Sequence, residues 1–241
     1  RRCGKSCIMQ SVALELKNSG VAEKDIIFLN LDKRGFKNIT TSDALEKVIE
    51  DRIGDDEFKY IFIDEVQNVK DFESVINAFR EDDNCSIFIT GSNSYLLSGE
   101  LVTKLTGRYV QVDMFPLAFD EFLAMKEFRG DKIGDRRGEF DEYLTSGGFP
   151  KALEFLDPDA KAKYVNDIVE QIFEKDIRKR CKIKNRVVFD KVMTYLVNNF
   201  GSRINLQSLE NYFRSALQTP IKKETLKRYL DILQASRVLY K

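Results

Sequence analysis

The sequence predicts an α/β fold, a parallel sheet covered by helices on both faces, with an all-helical second half. Three observations carry that prediction. Short β-branched apolar runs alternate with helical patterns in the first half: "DIIFLNLD" (25–32), "YIFIDE" (60–65), "SIFITGS" (86–92) and "YVQVDMF" (109–115). The first three are nearly continuous in apolar character, as parallel strands buried on both faces require. From about Leu117 the strand pattern stops and only helical periodicity remains. Strands alternating with helices imply crossover units, and hence a doubly wound sheet.

In chain order, the opening "RRCGKSC" matches the end of a phosphate-binding loop, G-x-x-x-x-G-K-[ST]. In such a loop glycines let backbone N–H groups turn onto phosphates, the lysine reaches the β/γ oxygens and the hydroxyl ligates magnesium. Gly4, Lys5 and Ser6 hold the last three positions and open the amphipathic stretch "SCIMQSVALELKNSG". Its N-terminal dipole favours an anion. The loop's first glycine and its feeding strand would precede Arg1, so a core lacking its first strand within residues 1–241 is expected. After the strand at 25–32, "SDALEKVIEDRIG" reads as a helix with Ser42 as N-cap. Beyond Leu117 come "LAFDEFLAMKEF", "GEFDEYLTSGG", "PKALEFL" and "AKAKYVNDIVEQIFEKDIRKR", with "SGGFP" as punctuation. The last part reads as a helix over "VVFDKVMTYLVNNF", an extended "RIN", and a helix carrying Leu206, Leu209 and Phe213. Thr219 and Pro220 then open a helix with Leu226, Tyr229, Leu230 and Leu233 on one face. Three short helices with a tight turn before the last resemble a winged helix-turn-helix.

Composition narrows the chemistry. Hydrophobic residues make up 43% of the 241, enough for real cores. With no histidine in the chain, histidine-based acid–base and triad chemistry is excluded, leaving carboxylates, lysine, backbone and metal. Cys3 and Cys7 lack the spacing and partners of a zinc site, and the thiols read as those of a reducing cytoplasm. No apolar run reaches the roughly 18 residues of a membrane span. The net charge of zero hides an asymmetry: residues 174–241 hold sixteen Lys/Arg against six Asp/Glu, so the rest is acidic.

"YIFIDEVQNV" carries the most specific chemical signal, an apolar strand ending in adjacent carboxylates. Asp64 there suits magnesium, and Glu65 suits polarisation of an attacking water. Together with "RRCGKS", "IFITGSNSYLLSGELVTKLTGRYVQVDMFPLAFDEF" and "SGGFPKALE", it resembles the large prokaryotic family of AAA-like P-loop ATPases with a C-terminal domain of unknown function. That resemblance implies a P-loop NTPase core over 1–116, a helical lid over 117–184 and a winged-helix-like domain over 185–241. It implies ATP and Mg2+ as ligands. Asn93 resembles the γ-phosphate sensor, and Arg108 resembles an arginine finger lent to a neighbouring subunit, which implies a homo-oligomer. In "GGFPKAL", Gly148 and Pro150 resemble a lid motif that approaches the adenine.

The expected function is ATP binding and hydrolysis coupled to movement of the lid and winged helix, in the cytoplasm and away from membranes. The alternative is a DNA-binding or scaffolding module with a vestigial nucleotide site. It rests on the basic C-terminal region, where "EKDIRKRCKIKNR" packs seven Lys/Arg into thirteen residues and Lys222, Lys223, Lys227 and Arg228 follow on the final helix. Phosphate contacts from such a helix fit major-groove docking.

Overall fold

The computed structural model describes residues 2–54, 58–82, 84–91, 109–178, 183–216, 218, 220–236 and 238–240. It divides into two compact units, Arg1–Ile168 and Val169–Lys241.

In the first unit, helix α1 (Lys5–Asn18) leads to strand β1 (Ile26–Asn30), helix α2 (Ser42–Ile53), strand β2 (Lys59–Asp64), helix α3 (Phe72–Glu81) and strand β3 (Cys85–Ile89). The strands form a parallel sheet in the order β1-β2-β3, with Asn30 opposite Asp64 and Ile63 opposite Ile89. Alternation along each strand decides which residue faces which layer. Ile27, Leu29, Ile61 and Ile63 point to a core closed by Leu45 and Ile49 of α2 and Phe72, Val75, Ile76 and Phe79 of α3. Phe28, Phe62 and Phe88 point the other way, stacked at 5.6 and 4.6 Å between ring centres, and meet Met9 and Ala13 of α1. The expected layering, helices on both faces of parallel strands, is therefore present as a small α/β sheet.

The fourth predicted strand is not one. Residues 109–115 are irregular, with Val110 93% and Val112 75% exposed. No strand among the described residues pairs with β3 on the side away from β2, so this β-patterned stretch has no ladder to join. The cap of α2 also differs from the expectation. Thr41, not Ser42, stands in extended backbone and accepts the Ala44 N–H at 3.4 Å.

Helices α4 (Phe119–Phe128) and α5 (Arg136–Ser146), a tight turn over Pro150–Glu154, and helix α6 (Pro158–Gln171) follow. Four charges tie them together. The Lys126 ammonium donates to Glu139 at 2.5 Å and to Glu142 at 2.9 Å, and Lys161 reaches Glu142 at 2.6 Å. The other Glu139 oxygen accepts the Gly134 N–H at 2.7 Å. Burial alone would lower the Lys126 ammonium, but the hydrogen bonds to Glu139 and Glu142 outweigh it and raise the pKa above the usual lysine value. Burial would likewise raise Glu142, and the hydrogen bonds from Lys161 and Lys126 instead hold it below the usual carboxylate range.

In the second unit a π-helical stretch (Ile172–Arg178) precedes helices α7 (Arg186–Asn198), α8 (Leu206–Ser215) and α9 (Lys223–Ala235). Phe189, Val192, Leu196, Leu209, Phe213, Leu226, Tyr229 and Leu233 lie in its core; of the residues expected on the apolar faces of the last two helices, Leu206 and Leu230 are half-buried against it. The "RIN" segment is irregular, and α9 starts at Lys223, three residues after Pro220. Lys222, Lys223, Lys227 and Arg228 are all exposed.

The Glu142 shift sets a pH dependence. A depressed carboxylate contributes stability that is full above its unfolded value of ~4.3 and is lost as pH falls through the folded value. Glu142→Gln should therefore lower the urea midpoint at pH 7, and its deficit against wild type should start to shrink as pH falls below about 4.3 and vanish only below the depressed folded value.

Candidate functional site

The carboxyl edge of the sheet gathers one polar side chain from the end of each strand. Asp64 ends β2 and is only 1% exposed. Its Oδ2 accepts the Asn30 amide at 2.8 Å from the end of β1, and its Oδ1 accepts the Thr90 hydroxyl at 2.5 Å just beyond β3. A buried carboxylate survives only when hydrogen-bonded, and these two donors supply that. A carboxylate offers about four lone-pair directions, so acceptor capacity remains for a further partner.

Glu65 follows in left-handed backbone, φ 61° and ψ 47°. A non-glycine residue there costs roughly 1–3 kcal/mol, and such strain persists only where neighbours enforce it. Thr90 is one enforcer, because its Oγ1 accepts the Glu65 N–H at 3.2 Å while its carbonyl accepts the Val66 N–H at 2.9 Å. The Glu65 carboxylate, half-buried, accepts the Gln67 side-chain amide.

Gly4 caps α1 in left-handed backbone at φ 91°, a conformation that suits glycine, and offers no side-chain cap. The first N–H groups of the helix are thus left for an external acceptor. Lys5 and Ser6 are half-buried residues, and neither side chain has a hydrogen-bond or ion-pair partner among the described residues. Connectivity places this end of α1. The helix feeds β1 through residues 19–25, so its C-terminus lies at the amino edge of the sheet. Its 14 residues span about 21 Å, longer than a five-residue strand of about 17 Å. The N-terminus therefore stands at the carboxyl edge, the edge that holds Asp64 and Glu65. Met9, one turn into α1, clusters with Phe62, two residues before Asp64.

The remaining predicted residues divide. Asn93 and Arg108 lie outside the described residues. Gly148 is buried, and its lack of a side chain answers a contact within the chain: an added Cβ would stand 2.1 Å from the Leu117 carbonyl oxygen. Leu117 donates its N–H to the Gly148 carbonyl at 2.6 Å, and its own carbonyl accepts the Tyr143 hydroxyl at 2.8 Å. Pro150 opens the following turn at its first position. Sequence reasoning did not single out Asn30, Thr90 or Gln67. The readable trace of the first two is a polar residue ending each apolar run, "FLN" and "FIT", where register can align it with Asp64.

A parallel α/β sheet with an uncapped helix N-terminus and paired carboxylates at its carboxyl edge defines a phosphate-loop class of protein. Residues 1–123 match the sequence profile of the AAA domain, and the chain belongs to that family. Residues 137–241 match a domain of unknown function (DUF8612). An uncharacterized protein of Haemophilus influenzae is 32% identical over the whole chain, and an uncharacterized protein of Methanocaldococcus jannaschii is 28% identical over 90% of it. The chain spans 60% and 50% of the length of these two relatives. Family membership implies nucleotide binding of the ATPase type in general terms. Among the described residues no helix is long and apolar enough to cross a membrane.

Thr90→Val removes the hydroxyl that serves both Asp64 and the Glu65 N–H while keeping the side-chain shape. It should cost about 1–3 kcal/mol in urea unfolding, the penalty for unpartnered buried groups. An unchanged midpoint would show that the hydroxyl does not hold this corner.

Proposed function

We propose that the chain binds Mg-ATP at the carboxyl edge of its sheet and hydrolyses it, coupling the cycle to movement of a helical lid (117–184) and a winged-helix module (185–241). The observation that supports this is chemical complementarity across one edge. The loop side offers donors, from Lys5, the N–H groups after Gly4 and the Ser6 hydroxyl, whose oxygen can also ligate a metal, and the sheet side offers the acceptors Asp64 and Glu65. A triphosphate needs the first set and its counter-ion the second.

The residues fit magnesium of the kind held jointly by protein and phosphate. Among the described residues no group of three His, Cys, Asp or Glu could hold a metal unaided, and magnesium sites on nucleotides use one or two carboxylates plus phosphate oxygens. Ser6 and Asp64 would hold it, and when bound it would supply positive charge that offsets the charge developing on the phosphates. Lys5 fixes the phosphates by charge. Asn30 and Thr90 hold the Asp64 carboxyl in place through their hydrogen bonds. Glu65 takes the proton of the attacking water, its direction set by the Gln67 amide and the Thr90 contact. Asn93 would sense the γ-phosphate, Arg108 would act on a neighbouring protomer, and Gly148 and Pro150 would face the adenine. A second reading, duplex DNA held by the second unit over an inactive nucleotide fold, is favoured by the exposed Lys222, Lys223, Lys227 and Arg228.

Millimolar Mg-ATP should raise the melting temperature by on the order of 5 °C. Lys5→Ala should abolish the shift, while Glu65→Gln should keep it and lower turnover by about 10²-fold or more. No shift in wild type, together with duplex affinity that falls steeply with salt and ignores ATP, would favour the second reading.

A further inference from the structure

The turn that carries Glu65 is tied to both neighbouring strands. On the β3 side, Thr90 takes the Glu65 and Val66 N–H groups. On the β1 side, the Asn68 side-chain amide donates to Asp32 Oδ1 at 3.0 Å, across 36 positions of sequence. The Asn68 backbone N–H donates to the Glu65 carbonyl at 3.0 Å, so the far end of the turn is bonded back to Glu65 itself.

Asp32 is held in its turn. Its N–H donates to Asn30 Oδ1 at 3.1 Å, while Asn30 Nδ2 donates to the Asp64 carboxylate at 2.8 Å. Both ends of the Asn30 amide are engaged, and flipping it would set donor against donor. These bonds close a ring through Asp64, Asn30, Asp32, Asn68 and Glu65. Asp32 and Asn68 are exposed. Water replaces either partner of an exposed hydrogen bond, so its removal costs the fold little. Locally the balance is finer, because Glu65 keeps a left-handed backbone that persists only where neighbours enforce it. Releasing one of the two ties lets that residue relax while the domain stays folded. The side-chain directions open to Glu65 change with its backbone angles.

We propose that Asp32 and Asn68 are positioning residues, whose hydrogen bond keeps the Glu65 carboxylate where it takes the proton of the attacking water. The proposal rests on the Mg-ATP hydrolysis reading and extends it to a contact outside the Asp64 corner. Losing the tie misplaces the general base without removing it. Turnover therefore falls, while nucleotide binding, which uses Lys5, Ser6 and Asp64, does not. A general base contributes about 10²–10⁴-fold, and a group still present but loosely held forfeits part of that.

The test measures steady-state ATP hydrolysis, calorimetric affinity for Mg2+ with a non-hydrolysed ATP analogue, and melting temperature, all on the full chain. Asp32→Ala, Asn68→Ala and the double variant should each lower kcat by the same factor of roughly ten. Analogue affinity should stay within about twofold, and melting within about 2 °C. The exchanged pair, Asp32→Asn with Asn68→Asp, again sets an amide against a carboxylate and should recover most of the lost kcat. Unchanged turnover in either single variant would overturn the proposal. So would losses that multiply in the double variant, since the two ends of one contact act as a unit. An exchanged pair no faster than the single variants would count against it equally. Lost turnover matched by lost analogue affinity or a lower melting temperature would make the pair structural and also overturn it. Wild-type chain that binds the analogue without hydrolysing ATP would remove the hydrolysis reading, and the proposal with it, before any variant is compared.

Discussion

A single buried carboxylate organises the business end of this molecule. The Asp64 carboxyl is buried at the end of an apolar strand, where a polar group needs hydrogen-bond partners, and the donors come from the ends of the two flanking strands. The three strand ends are thereby fixed to one another, in a register that the ladder alone would set only along the strands. The corner also imposes the left-handed turn at Glu65, because the hydroxyl that serves Asp64 also takes the Glu65 N–H. Strain at Glu65 and satisfaction at Asp64 are two sides of one arrangement.

Opposite this acidic corner stands the start of α1, whose groups are mostly donors. The sheet's alternation accounts for the juxtaposition. Phe28, Phe62 and Phe88 on one face seat α1, while isoleucines and leucines on the other seat α2 and α3. Helix length and connection direction then carry Gly4, Lys5 and Ser6 to the carboxyl edge. Neither side is complete as a chemical unit: one has donors without an acceptor, the other a carboxylate with spare lone pairs. A metal–triphosphate is the simplest ligand that meets both demands.

Much of this was legible in the order of residues. Continuous apolar runs marked β1, β2 and β3, and the termination of β2 in Asp64 and Glu65 marked the acidic edge. What escaped depends on distance in sequence. Asn30 and Thr90 are 34 and 26 residues from Asp64, and only the sheet register brings them together. Gly148 was legible as a residue needing close approach, but not that Leu117, 31 positions earlier, is what approaches it. The stretch 109–115 has strand-like composition, yet composition cannot supply the neighbouring ladder that a strand requires.

The account turns on one ligand bridging the start of α1 and the Asp64 corner. A crystal structure of the chain with Mg2+ and a non-hydrolysed ATP analogue tests it most directly. The account predicts the triphosphate on the N–H groups following Gly4, with the metal between the Ser6 hydroxyl and the Asp64 carboxylate. A nucleotide bound elsewhere, or a metal remote from Asp64, would contradict it.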